Sequence, residues 1–316
     1  MTNALGDREY EFVPGWGKLP DDWEPGEVAA VAVDSADNVH VLARTDHPYQ
    51  VFDKSGLLID DWGRGIIDEG HGICIGPDDS AYVVDRVAQQ VLKFDASGRH
   101  RLTIGQRGQA SDTGYVAQSE HDDPYTHGSL TNGVQRSAGP FNVPTGAAIG
   151  PDGSIFVSDG YRNARIHKFD PRGVLITSWG EPGSARELRD TTAEPGKFHN
   201  PHNLAVLADR VFVADRQNCR IQVFDLDGAH LTTWLGFLRP SDIQASPREG
   251  LLYVSEMEDR VTVIDLDGQV VAQVATERSS EPGKFWGPHG ISVDSEGSIY
   301  VAEVFAGRVQ KLARVS

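Results

Sequence analysis

The stretch Val211-Phe-Val-Ala-Asp215-Arg-Gln-Asn-Cys-Arg220-Ile-Gln-Val-Phe-Asp225-Leu-Asp-Gly228 decides the fold. Two short runs of β-branched and aromatic residues flank a polar turn, and an Asp-x-x-Gly turn closes the second run. Runs this short, bounded by Asp, Asn and Gly, read as strands rather than helices. An apolar run, Leu204-Ala-Val-Leu207, precedes the stretch, and His230-Leu-Thr-Thr-Trp234 follows it. The unit therefore holds four strands.

The same unit recurs along the chain. Its copies run from Val31-Ala-Val-Asp to Gly56, from Ile73-Cys-Ile-Gly to Gly98, and from Ala147-Ala-Ile-Gly to Gly173. Beyond the copy quoted, Ile243-Gln-Ala-Ser to Gly268 and Ile291-Ser-Val-Asp to Leu312 complete six. Four strands in about 40 residues per unit are the signature of propeller blades. No helical pattern longer than two turns interrupts them. The expected fold is an all-β, six-bladed β-propeller forming a single domain over 1–316, with blades at about 27–63, 66–105, 138–180, 195–235, 238–275 and 282–316. The sixth unit ends at Ser316 before a fourth strand, whereas Tyr10-Glu-Phe-Val-Pro-Gly-Trp16 resembles the blade-ending strands near Trp62 and Trp179. Residues 9–17 are therefore expected to complete blade six and close the ring, removing an open sheet edge. Residues 106–137 and 181–195 read as inserted loops between blades.

Composition narrows the function. The chain has 316 residues, of which 39% are apolar, enough for a substantial core. Acidic residues outnumber basic ones by 46 to 29, for a formal charge of −17, a field that repels a phosphate polymer. No apolar run approaches the roughly 18–20 residues of a membrane span. Nucleic-acid and membrane partners are thus not expected, and a monomer or weak homo-oligomer acting on a small molecule is. Cys74 and Cys219 match neither a disulfide framework nor a CxxC metal site. The start, Met1-Thr-Asn-Ala-Leu-Gly-Asp-Arg-Glu, has no apolar signal core, which makes a reducing cytoplasm the expected compartment.

Aligning the residue before the first strand of each blade gives Ala29, His71, Thr145, His202, Ser241 and His289. Histidine falls on blades two, four and six, about 120° apart in a six-bladed ring. First strands line the central channel, so three imidazoles at this register would converge on the axis. That is a tripod for zinc, or another divalent transition metal such as iron or manganese, with nitrogens roughly 2.0–2.1 Å from the ion and a fourth position open. An open position marks catalysis rather than structure. With eleven histidines in the chain, three in six such slots on strict alternation is not a chance pattern. His47, His121, His127, His167 and His199 lack this placement and read as ordinary side chains, with His47 and His199 nearest the same face.

Turns between second and third strands open at the same end as the tripod. They offer Arg44 in the irregular Leu42-Ala-Arg44-Thr-Asp-His47, Tyr161 in Ser158-Asp-Gly-Tyr161-Arg-Asn-Ala-Arg-Ile166, and Arg216 in Ala214-Asp-Arg216. Two guanidiniums suit a carboxylate or carbonyl oxygen. A phenol beside cations and a metal is favoured in its ionised form, which suits a general base. Asp159, Asp215, Arg165, Arg220 and Cys219 read as turn-forming or incidental.

The repeats resemble NHL repeats. The stretch from Phe141-Asn-Val-Pro through Ser158-Asp-Gly-Tyr-Arg-Asn-Ala-Arg-Ile, Phe198-His-Asn-Pro-His-Asn-Leu and Val213-Ala-Asp-Arg-Gln-Asn-Cys-Arg-Ile resembles the peptidyl-α-hydroxyglycine α-amidating lyase family. The likeness runs from about residue 28 to 312. It implies a six-bladed propeller with a three-histidine zinc site at His71, His202 and His289, a catalytic tyrosine at Tyr161 and active-site arginines at Arg44 and Arg216. The implied reaction cleaves an N-(α-hydroxy) amide into an amide and glyoxylate. Gly290 stands where the family places a calcium-binding aspartate, so a structural calcium lacks its side-chain ligand; the family's remaining calcium ligands, backbone carbonyls, would fall near Val28 and Ile73. Gly287 replaces a methionine near the third histidine, and the family's disulfides and partner monooxygenase domain are absent from this sequence. The expected activity is a metal-dependent lyase acting on a small carbinolamide or related α-hydroxy adduct. The alternatives are a hydrolase or hydratase on the same three histidines, and a non-enzymatic NHL binding platform.

Overall fold

The computed structural model describes residues 2–5, 8–24, 26–116, 133–183 and 194–315. His121, His127 and much of the 106–137 and 181–195 insertions lie outside the described residues. The chain forms six antiparallel sheets arranged as a closed propeller. Blade one comprises Val28–Val33, Val39–Ala43, Tyr49–Phe52 and Leu58–Trp62, and blade two Gly70–Ile75, Ala81–Asp85, Gln90–Phe94 and His100–Ile104. Blades three and four follow as Gly146–Ile149, Ile155–Asp159, Arg165–Phe169, Leu175–Trp179 and Pro201–Leu207, Arg210–Asp215, Arg220–Asp225, His230–Leu235. Blade five is Pro240–Ser246, Leu251–Glu256, Arg260–Asp265 and Val270–Ala275. In the described residues, helix is limited to one 3-10 turn, Arg216–Asn218.

Each Asp-x-x-Gly is a turn held by its own aspartate. In blade four the Asp225 carboxylate accepts the amides of Asp227 and Ala229 at 2.9 and 2.8 Å. Gly228 follows at φ +90°, a conformation costly for any side chain. A Cβ there would also lie 2.6 Å from the Trp179 ring of the preceding blade. The same inter-blade joint pairs Gly98 with Trp62 and Gly268 with Trp234, whereas Gly173 meets Ile104 and Leu102 of the previous fourth strand. The apolar core follows the same plan, as six clusters that each span two neighbouring blades.

Ring closure takes the form that the repeat implies. Arg8–Val13 pairs antiparallel with Arg308–Arg314, as the fourth strand of a blade whose inner strands are Pro288–Val293 and Ile299–Glu303. Trp16 then occupies the joint between blades six and one, its indole 3.1 Å from where a Gly56 Cβ would be and packed on Phe52 and Tyr300. Its Nε1 donates to Lys54 O at 3.2 Å. Two features go beyond the repeat. Thr2–Leu5 adds a fifth strand outside Arg8–Val13, and Glu181–Pro182 pairs in parallel with Lys197–Phe198 at the ends of the second insertion.

Closure by this segment gives a direct expectation. Trp16→Ala should cost about 3–5 kcal/mol, the usual scale for emptying a buried indole site. Deleting residues 1–17 should lower the melting temperature further and promote aggregation through the exposed edge of Arg308–Arg314. Denaturant and thermal unfolding check both; a deletion variant as stable as the full chain would contradict the closure.

Candidate metal centre

An acidic residue ends the second strand of every blade but the first, and it positions the site. Asp85 accepts the amides of Asp68, Glu69 and Ala88; Asp159 accepts that of Asn142, Asp215 that of His199 and Glu303 that of Trp286. These bonds fix the loop that leads into the first strand, and hence the residue at its start. The buried Asp159 and Asp215 are structural, as is Arg220, whose Nε lies 2.8 Å from Asp215.

The first strands bring His71, His202 and His289 together. Their ligand nitrogens all lie within 4.8 Å of one another, and the rings cross at centroid distances of 4.8, 4.9 and 4.7 Å. Each Nδ1 meets a backbone carbonyl: His71 with Thr145 O at 2.7 Å, His202 with Ser241 O at 2.8 Å, and His289 with Ala29 O at 2.6 Å. A carbonyl only accepts, so each Nδ1 carries the proton and donates, leaving the Nε2 lone pair free. An outer-shell bond of this kind fixes the tautomer of a metal-binding imidazole. All three are fully buried, and burial drives their pKa values well below the usual histidine value. The guanidiniums act in the same direction: Arg86 and Arg44 on His71, Arg216 on His202, and Arg44, Arg216 and Arg86 on His289. Neutral imidazoles with Nε2 lone pairs directed inward are the donor set a transition metal requires. The three residues could hold such an ion.

Tyr161 lies at the same place. Its hydroxyl is 3.0 Å from His71 Nε2 and 3.1 Å from His202 Nε2, and its ring stands edge-on to both imidazoles. A hydroxyl has one proton, so it can donate to only one of these nitrogens at a time. The Arg216 guanidinium lies 5.4 Å from the Tyr161 ring centre, and that of Arg86 5.8 Å. Arg44 pairs with Glu27 and has its Nε 3.4 Å from Glu69, whose carboxylate also accepts Arg86 Nε at 2.9 Å.

The structure thus groups the six residues singled out in the sequence. Reading the sequence missed Arg86, Glu69 and the buried Arg239, whose Nε donates to Gln217 of the Arg216 turn at 3.2 Å. Arg86 follows Asp85 as Arg216 follows Asp215, so the repeat register could have found it. His199 is buried beside Arg216, and burial and that charge lower its pKa to about 4. His47 stacks on Trp23 at 3.4 Å and pairs with Asp61, and the buried His167 bonds to Ser178 at 2.8 Å.

The NHL repeat matches residues 141–169, 198–224 and 285–312, which lie in blades three, four and six of the propeller. The chain is also similar to proteins named as amidating lyases. It is 31% identical over 234 residues to peptidylglycine alpha-amidating monooxygenase of Rattus norvegicus, covering 64% of this chain and 21% of that protein. To peptidyl-alpha-hydroxyglycine alpha-amidating lyase 1 of Drosophila melanogaster it is 26% identical, over 92% of this chain and 58% of the relative. NHL repeat-containing protein 3 of Homo sapiens is 28% identical, over 96% and 83%. The chain therefore spans about a fifth of the rat protein's length. Among solved structures, a streptogramin B lyase superposes with a TM-score of 0.61 at 13% identity, covering 97% of each chain, a likeness of fold. No helix among the described residues is long and apolar enough to cross a membrane.

If the three imidazoles are the ligands, the purified protein should carry about one transition metal per chain. His202→Ala should lose it while keeping the β-sheet spectrum, because the blades hold the fold. Elemental analysis with circular dichroism checks this; full metal content in the variant would contradict it.

Proposed function

We propose that the protein is a zinc-dependent lyase that cleaves a small carboxylate-bearing N-(α-hydroxy) amide into an amide and glyoxylate. The observation that carries this reading is the Tyr161 hydroxyl within hydrogen-bond reach of two neutral, tautomer-fixed imidazoles of a three-histidine cluster. The resemblance to proteins named as amidating lyases supports it. Zinc held by His71, His202 and His289 would supply Lewis acidity toward the substrate oxygen.

The chain's own groups account for the proton movements. Tyr161, as general base, takes the proton of the substrate's α-hydroxyl. The electrons of that O–H bond become the second bond of the new carbonyl, and the C–N bond breaks with its pair moving to nitrogen. Tyr161 then returns the proton to that nitrogen, giving the amide. Atoms balance without a co-reactant, because substrate and products have the same composition. The Arg216 and Arg86 guanidiniums stand beside the ring, 5.4 and 5.8 Å from its centre. Arg44 and Arg216 hold the carboxylate or the developing carbonyl.

Tyr161→Phe should keep the metal and substrate affinity while lowering turnover by roughly 10²–10⁴, the scale of losing a general base. The assay offers α-hydroxyhippurate to metal-loaded protein and follows glyoxylate. No glyoxylate from the unaltered protein would contradict the lyase and favour a hydrolase or hydratase at the same site. Unchanged turnover in Tyr161→Phe would remove the tyrosine as base.

A further inference from the structure

Six residues share one register around the three-histidine cluster. Each follows the end of its blade's second strand and bonds to the loop that leads into the first. Arg44 N donates to Glu27 O, Arg86 N to Glu69 O and Tyr161 N to Val143 O, at 2.8, 3.2 and 3.4 Å. Arg216 N donates to Asn200 O, Met257 N to Arg239 O and Val304 N to Gly287 O, at 3.0, 3.1 and 3.2 Å. Tyr161 marks where this register leads, since its hydroxyl meets His71 and His202. The ring divides by chemistry. Blades one to four carry three guanidiniums and a phenol, whereas blades five and six carry Met257 and Val304, which bring neither charge nor a hydrogen-bond donor.

The apolar sector widens on blade six. Phe305 follows Val304 in the same turn, Trp286 precedes Gly287 in the facing loop, and their ring centres lie 6.4 Å apart. Gly287, where the resemblance places a methionine, makes room for this pair. A Cβ there would lie 2.4 Å from Phe305 Cδ2, and the backbone sits at φ +70°. Two bonds pin the loop, Trp286 N to Glu303 at 2.6 Å and Gly287 N to Asp259 of blade five at 3.0 Å. Met257 and Val304 are buried, but Trp286 and Phe305 are 38% and 40% exposed. Other exposed apolar side chains, such as Ile59, Leu175 and Leu231, are spread over the fourth strands of three blades. Only on blade six do two exposed aromatic rings adjoin the register that reaches the histidines. A ligand site typically has such an apolar wall opposite a few polar groups.

We propose that Met257, Val304, Phe305 and Trp286 form an acyl subsite, so that the substrate is an N-acyl-α-hydroxyglycine with an aromatic or alkyl acyl group. This rests on the lyase reading and names the substrate class within it. The acyl group lies against blades five and six while the reacting carbon stays beside Tyr161, and the amide released is an apolar primary amide. Phe305 and Trp286 select the substrate and touch no reacting atom.

The test uses N-acetylglycine, hippurate and N-octanoylglycine, none of which carries the reactive hydroxyl. Affinities are measured by calorimetry on the metal-loaded full chain. Hippurate and N-octanoylglycine should bind about tenfold or more tighter than N-acetylglycine, the scale of burying a few apolar carbons. Trp286→Ala and Phe305→Ala should each lower that ratio about threefold or more, and the double variant should bring it near one. Phe305→Leu should keep most of the ratio, and Leu231→Ala on the outer strand of blade four should leave it unchanged. Metal content and circular dichroism identify any variant that fails to fold. Equal affinity for the three acylglycines in the unaltered protein, or an unchanged ratio in the double variant, would overturn the subsite. An acyl preference that depends on the two aromatics, without glyoxylate release from α-hydroxyhippurate, would retain the subsite and overturn the lyase instead. Glyoxylate release with no acyl preference would do the reverse.

Discussion

Each imidazole of the three-histidine cluster is held by one bond across a blade boundary, and the rest of the site depends on those three bonds. His71 donates to Thr145 O, His202 to Ser241 O and His289 to Ala29 O. Each acceptor is the residue at the same register of the next blade. The six-membered ring of slots thus alternates donor histidine and acceptor backbone, and the acceptors are the small residues Ala29, Thr145 and Ser241. The third bond joins residues 260 positions apart, so it forms only when blade six meets blade one. Ring closure by Arg8–Val13 and Trp16 is therefore a condition of the site's chemistry as well as of stability.

Charge is arranged around that ring with the same dependence on register. Burial and the surrounding guanidiniums keep the imidazoles neutral, which suits them as ligands and places a cost on protonating them. The protein as a whole is strongly acidic, yet the mouth collects Arg44, Arg86, Arg216 and Arg239. The net charge of −17 thus does not describe the mouth, where these four arginines gather.

Much of this was legible in the residues because repetition converts sequence position into angle. Once six copies are aligned, His71, His202 and His289 must face the axis at about 120° intervals, and Arg44, Tyr161 and Arg216 must open at the same end. Arg86 was equally accessible by register, but it was hidden because its blade lacks the local pattern that surrounds Arg216. Arg239 and Glu69 were harder to find. They sit in the loops before the first strands, where the template is weakest, and their importance lies in which charges they oppose across space. The added strand Thr2–Leu5 and the parallel pair Glu181–Pro182 with Lys197–Phe198 carry no repeat signal, so only packing reveals them.

The central claim is that alternation on a closed six-bladed ring builds one metal centre from three Nε2 atoms. X-ray absorption at the metal edge of the purified protein tests it most directly. The account predicts a first shell with three imidazole nitrogens at roughly 2.0–2.1 Å and one further light donor, with multiple-scattering features of three rings. A shell with fewer than three imidazoles, or one dominated by carboxylate oxygen or sulfur, would contradict it.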